Sequence, residues 1–168
     1  MALFNLAMIY KRNNDDRNAL AAFEEIMRKY SNEAWFYSWA AIYSGHIYSA
    51  KKDFDRAIES YQRVIKSREN TFLYSLSMLH RARAFMDKKD YKTSSALFQE
   101  IIKANNHFIE EALYGLGQSQ YLDTEFEQAK ETFTTLLQLF PKTYWRENAQ
   151  ARLKVIEKRL KEIEKSGQ

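Results

Sequence analysis

The sequence predicts an all-α fold, a solenoid of antiparallel helix pairs stacked one on the next and closed by a single C-terminal helix. Three observations carry this. A pattern of a small residue, an aromatic, a polar turn, a second small residue, a second aromatic and an aliphatic recurs four times, at intervals of 38, 37 and 35 residues. Repetition at such a period marks arrays in which no single unit can bury its apolar face alone. Four Gly and one Pro in 168 residues are too few for the closely spaced turns of an all-β chain. Between the turns, apolar residues fall three and four apart, the spacing of one helix face.

The first copy is Ala7, Tyr10, Ala19, Phe23 and Ile26, and the second is Gly45, Tyr48, Ala57, Tyr61 and Val64. Ala82, Phe85, Ser94, Phe98 and Ile101 form the third, and Gly117, Gln120, Ala129, Phe133 and Leu136 the fourth. The first pair is expected from about Leu3 to Arg12 and from Asp15 to Tyr30, broken at Asn13-Asn14. Later pairs turn at Lys51-Lys52-Asp53, Lys88-Lys89-Asp90 and Asp123-Thr124-Glu125, where acidic residues suit the positive end of the next helix. Asn32, Asn70 and Asn106 are expected to cap the first helices of the second, third and fourth pairs. Paired small residues should let the two helices of a unit approach closely, while Phe23, Tyr61, Phe98 and Phe133 plug the seam to the next unit. The repeats divide at about 1–31, 32–69, 70–106 and 107–141 within one domain. Residues 142–168 then form a capping helix and tail, with Trp145 and Ala149 echoing the start of a fifth unit.

Several function classes drop out. There is no Cys, which removes disulfides, thiol nucleophiles and thiolate metal sites. No Gly-rich phosphate loop, Gly-x-Ser-x-Gly elbow or His-Glu-x-x-His pair is present, so no catalytic role is expected. The net charge of +4 does not read as a nucleic-acid footprint: Met1 to Phe140 hold 18 basic and 18 acidic residues, and the excess lies in Pro141 to Gln168, with 8 against 4. That tail alternates signs at helical spacing, as solvated helix surface does. No transmembrane segment is read, and no cofactor is expected. His46 and His80 stand on adjacent first helices, but two histidines fall short of a zinc ligand set. The chain enters its first helical pattern at Met1-Ala2 with no capping residue, which suggests a domain cut from a longer protein. Cytoplasm, or periplasm after removal of a signal segment, are both compatible with this.

These residues resemble the tetratricopeptide repeat family. The resemblance is strongest from Asp53-Phe54-Asp55-Arg56-Ala57 to Tyr61 and from Glu125-Phe126-Glu127-Gln128-Ala129 to Phe133 with Pro141. Asp16 departs from it where later units have an aromatic, as do Gln120 and Ser94. The resemblance implies a right-handed superhelix whose first helices line a concave groove. The units exceed the family's usual length, and the added residues should lengthen the first helices. In this, and in the aromatic-Pro at Phe140-Pro141, the chain is similar to bacterial envelope members such as outer-membrane assembly lipoproteins.

Offsets from each small residue place Phe4, Met8, Trp39, Ile42, Tyr43, His46, Leu79, His80, Arg83, Tyr114, Gln118 and Tyr121 in or beside that groove. Family members that clamp a heat-shock chaperone's C-terminal carboxylate have Lys and Asn where Phe4 and Met8 stand, so that clamp is not expected. A mainly apolar, aromatic lining instead suits a peptide or helix of a protein partner, oriented by Arg83 and the His pair. The expected function is a non-enzymatic adaptor or scaffold. The alternatives are a secretion-type chaperone shielding an apolar client segment, and a structural component of an envelope or motor assembly. The apolar stripe Ile156 to Ile163 offers a route to a homo-oligomer or to a larger parent chain.

Overall fold

A computed structural model describes residues 1–67, 71–104 and 107–166, and among them it is helical throughout, with no strand. The helices are α1 (Ala2–Arg12), α2 (Asp16–Lys29), α3 (Ala34–Ala50), α4 (Phe54–Ser67), α5 (Thr71–Asp87), α6 (Tyr91–Lys103), α7 (Ile109–Leu122), α8 (Phe126–Leu139) and α9 (Arg146–Ser166). They fall into two compact units, Met1–Lys88 with α1 to α5 and Lys89–Gln168 with α6 to α9. Within each unit every helix packs on the next in sequence. That nearest-neighbour order is the property of a repeat array.

The turns inside the pairs are built alike. Asn14, Lys52, Lys89 and Thr124 all take positive φ, from 58° to 68°. After α1, the Asn14 N–H donates to the Lys11 carbonyl and the Asp15 N–H to that of Tyr10. The same two bonds recur from Lys52 to Ser49 and Asp53 to Tyr48, and from Thr124 to Tyr121 and Glu125 to Gln120. This double bond from a left-handed residue and its successor ends a helix while satisfying its last carbonyls. The successor then starts the next helix: Asp15, Asp53 and Asp90 each accept a bond from the backbone N–H three residues on. Glu125 stands at the same place and makes no such bond.

The rings sit where the spacing puts them. Phe23, Phe98 and Phe133 are wholly buried, and Tyr61 is 2% exposed. The small residues work differently from expectation. A Cβ on Gly45 would collide with the Tyr61 ring, and one on Gly117 would lie 2.8 Å from the Phe133 ring. What the missing side chain admits is the ring of the partner helix, in addition to close backbones. Gly115, two residues before Gly117 and so on another face of α7, likewise makes room for Phe98 of α6. Two departures from the pattern find polar partners. Ser94 and Ser119 hydroxyls lie 2.8 Å apart in the core, and Thr132 donates to the Gln120 side-chain carbonyl at 2.7 Å. Gln120 thus stands in for the aromatic without leaving its amide oxygen unmet.

Helices α3 and α5 run 17 residues against 14 for α2 and α4, so the first helices of the second and third pairs are lengthened, whereas α7, at 14 residues, is no longer than α8. The cap expected at Asn32 is corrected: the Glu33 N–H closes a turn onto Tyr30, and α3 starts one residue later with Glu33 as an N-cap that makes no side-chain bond. Asn70 and Asn106 lie outside the described residues.

Candidate partner-binding site

In the first unit, α3 supplies the spine of the site. Its sequence from Ala34 to Ala50 contains no Asp, Glu, Lys or Arg. Such a helix, apolar on every side, has to be flanked on several faces, and α2, α4 and α5 all touch it. What those neighbours leave uncovered is a row of rings. Trp35 and Trp39 lie 6.3 Å apart, Trp39 stacks on Tyr43 at 5.5 Å, and Tyr43 meets His46 at 6.0 Å. The row passes to α5 through His46 and His80, whose rings are 4.4 Å apart and nearly perpendicular. From α1, Phe4 touches Trp35 at 5.9 Å and Tyr43 at 6.1 Å. Beneath the row Tyr43 stacks on buried Phe23, and His80 stacks on buried Tyr61.

Seven of the nine residues expected here are half-buried: Phe4, Met8, Trp39, Tyr43, His46, His80 and Arg83. Ile42 and Leu79 are corrected. At 0% and 3% exposure they belong to the core: each stands next in sequence to a ring of the row, Tyr43 or His80, and so points about 100° away from it around the helix. Trp35, 50% exposed, was missed. It lies four residues before Trp39 and so on the same face, which is the signal that could have found it.

The electrostatics are one-sided. The ammonium of Lys11 lies 5.5 Å from the centre of the Tyr43 ring. With Arg12 it closes α1, and Met8, Ile9, Lys11 and Arg12 line a cleft of about 400 Å³. Helix α5 adds Arg81, Arg83 and Asp87. Burial holds His46 down at about 4, with Lys11 adding to the effect. Burial first, then His46 and Arg83, hold His80 down at about 3. Both imidazoles are therefore neutral at neutral pH, and His46 Nε2 is buried without a hydrogen-bond partner. Burial raises the Asp87 carboxyl, against the opposing pull of Arg83. Among the described residues no group of three or more His, Cys, Asp or Glu is placed to hold a metal.

In the second unit, two of the three expected residues, Tyr114 and Tyr121, meet the chain's own C-terminal segment. Tyr114 stacks on Trp145 at 4.3 Å with the planes 13° apart, and accepts a bond from the Gln118 amide at 2.7 Å. The Arg152 guanidinium lies 4.2 Å over Tyr121. Thr143 fixes the approach of α9: its hydroxyl bonds Glu110 at the start of α7 and accepts from the Trp145 N–H. A second cleft, of about 620 Å³, lies where the α7–α8 turn meets the end of α9, with Leu122, Phe126 and Ile163 among its walls.

Hairpins of helices, each packed on its neighbour in sequence, define a helical-repeat protein. The chain belongs to the tetratricopeptide repeat family: tetratricopeptide repeat profiles match residues 1–33, 44–71 and 111–143, together more than half of it. That family is a non-enzymatic fold that mediates protein–protein interaction. Solved structures agree on the fold. MamA 41-end from Desulfovibrio magneticus RS-1 is 19% identical with a TM-score of 0.69, covering 98% of this chain and 94% of that one. The apo form of RapI reaches a TM-score of 0.84 at 18% identity, over 95% of this chain but 48% of its own. The second tetratricopeptide domain of human RPAP3, solved with the HSP70 peptide SGPTIEEVD, has a TM-score of 0.57 at 23% identity, covering 67% and 88%. No curated protein matches the sequence significantly. No described helix is long and apolar enough to cross a membrane.

Proposed function

We propose that this protein is an adaptor that holds an apolar or aromatic segment of a partner protein on the ring row of its first unit. The supporting observation is a run of rings in successive contact, Trp35, Trp39, Tyr43 and His46 on a helix without a charged residue and then His80 of α5, seated on buried Phe23 and Tyr61. Rings held in place lose little freedom when a ligand covers them, which favours binding by large flat side chains. In this reading Phe4, Met8, Trp39, Tyr43, His46, His80 and Arg83 serve the partner, whereas Tyr114 and Tyr121 seat the C-terminal segment and Gln118 holds the Tyr114 hydroxyl. The repeats divide near residues 31, 69, 106 and 141, with the cap after them.

The test is capture of the native partner with Trp35→Ala, a change at a half-exposed side chain that leaves the core intact. Partner recovery should fall about tenfold, the cost of losing one central aromatic contact. Undiminished recovery by a folded variant would remove the ring row from the binding surface. A structural role is favoured by a separate observation, the cleft of Leu122, Phe126 and Ile163, where Leu122 and Ile163 are 44% and 52% exposed. In that case Ile163→Glu, and not Trp35→Ala, would abolish capture.

A further inference from the structure

We infer that the segment bound by the first unit is acidic beside its apolar anchor, with its carboxylates set against Lys11 and Arg12 at the end of α1; this rests on the ring row being the binding surface. The three helices that supply the row are α1, α3 and α5. They carry Lys11, Arg12, Arg81 and Arg83 against the single carboxylate of Asp87. By contrast α2, on the other side of the same hairpin, balances Asp16, Glu24 and Glu25 with Arg17, Arg28 and Lys29. The cationic excess is therefore a property of the row's own helices and not of the unit at large.

Its placement is specific. Lys11 stands over the face of Tyr43, in the middle of the row, and joins none of the ion pairs seen among the described residues. Met8 and Ile9 give the adjoining cleft an apolar wall beside the two cations. A side chain packed against Trp39, the ring next to Tyr43 in the row, would bring its neighbours in sequence within reach of that ammonium. The half-buried His46 and His80 beside it are neutral at neutral pH, which leaves the charge at this part of the row to Lys11 and Arg12. A basic partner segment would meet the like charge of Lys11 and Arg12, which disfavours it. Complementary charge of this kind acts mainly on encounter rate and partner choice, and it fades with added salt.

The experiment is selection from a phage library of random peptides on three forms of the full chain: wild type, the double variant Lys11→Glu with Arg12→Glu, and Trp35→Ala. Circular dichroism first establishes that each is folded. Wild type should enrich peptides with Asp or Glu next to an aromatic or aliphatic residue. A representative selected peptide should bind about tenfold more weakly in high salt and about tenfold more weakly to the charge-reversed protein. The charge-reversed protein should itself enrich peptides with Lys or Arg beside the same apolar residues. Apolar enrichment with no acidic bias, or one unchanged by the double variant, overturns the acidic reading and leaves the ring row standing. Equal enrichment by wild type and Trp35→Ala overturns both.

Discussion

The two units give matched rings different surroundings. In the first, Tyr43 stacks on the buried Phe23 and continues into a row that ends on half-exposed Trp35. In the second, Tyr114 meets the buried Phe133 at 5.9 Å, and Trp145 of this same chain lies flat on its other face. Sequence spacing assigns both tyrosines the same role. What separates them is the next segment of chain: Thr143 anchors the entry to α9, and α9 then brings Arg152 over Tyr121. A repeat position therefore specifies where a ring stands, while the neighbouring unit decides whether it is available.

Removing the floor under each tyrosine is the strongest way to break this contrast. Phe23→Ala and Phe133→Ala each empty a wholly buried ring site, and each should lose about 3–5 kcal/mol in urea melts. Their effects on binding should differ. Under conditions where both variants remain folded, Phe23→Ala loosens Tyr43 and should weaken a selected peptide, whereas Phe133→Ala should leave its affinity unchanged. Equal weakening by the two would mean that the second unit shares the binding.

Acid should also act on one unit before the other. His46 and His80 are held at about 4 and about 3, below the ordinary 6.5, and the unfolded chain therefore takes up their protons first as pH falls. The stability associated with keeping them neutral is complete above pH 6.5 and declines through the window down to about 3. By pH 4 the loss should be about 3 kcal/mol for either imidazole alone, and less than twice that for the pair because the rings share one environment. The remaining histidine, His107, is exposed in the second unit. Hydrogen exchange at pH 7 and pH 4, corrected for intrinsic rates, should show amide protection lost in α3 and α5 ahead of α7 and α8. Uniform loss would dismiss the His pair as the acid-sensitive element.

Much of this was legible in the sequence because stacked hairpins repeat their physics. Phe23, Tyr61, Phe98 and Phe133 are buried as their spacing requires, and the turns fall at the polar triplets. The groove was read less sharply. Offsets from the small residue choose a face only where polar residues mark its edges, and α3 has no charged residue to mark one. Ile42 and Tyr43 therefore read alike, although one is core and the other borders the surface. Trp35 fell outside the offsets considered, one turn before Trp39. The cover on Tyr114 was partly visible, since Trp145 and Ala149 echo a fifth unit. Placing that unit's first helix against α7 would have set Tyr114 against Trp145 and Tyr121 against Arg152. Asn32 failed as a cap because the approach to α3 is itself a turn, and a preferred residue type one position early cannot reach the free N–H groups.

The smallest expected effect lies in the turns, where the units differ by chemistry at matched geometry. All four left-handed positions are held by residues other than Gly, and Thr124 is β-branched, the side chain least suited to that conformation. Its strain in the left-handed region is on the order of 1 kcal/mol, more than the same backbone imposes on Asn14. The residue after it compounds the difference: Asp15, Asp53 and Asp90 cap the next helix, and Glu125, one methylene longer, does not. Thr124→Gly should therefore stabilise the chain by about 0.5–1 kcal/mol even though Gly gives the unfolded state more freedom, and Glu125→Asp by about 0.5 kcal/mol through a new bond to the backbone. Asn14→Gly is the control and should gain nothing, because Asn already tolerates this conformation and the unfolded-state cost then dominates. Thermal melts of the three variants measure the ordering directly. A gain for Asn14→Gly as large as that for Thr124→Gly would show that side-chain branching does not set the cost of these turns.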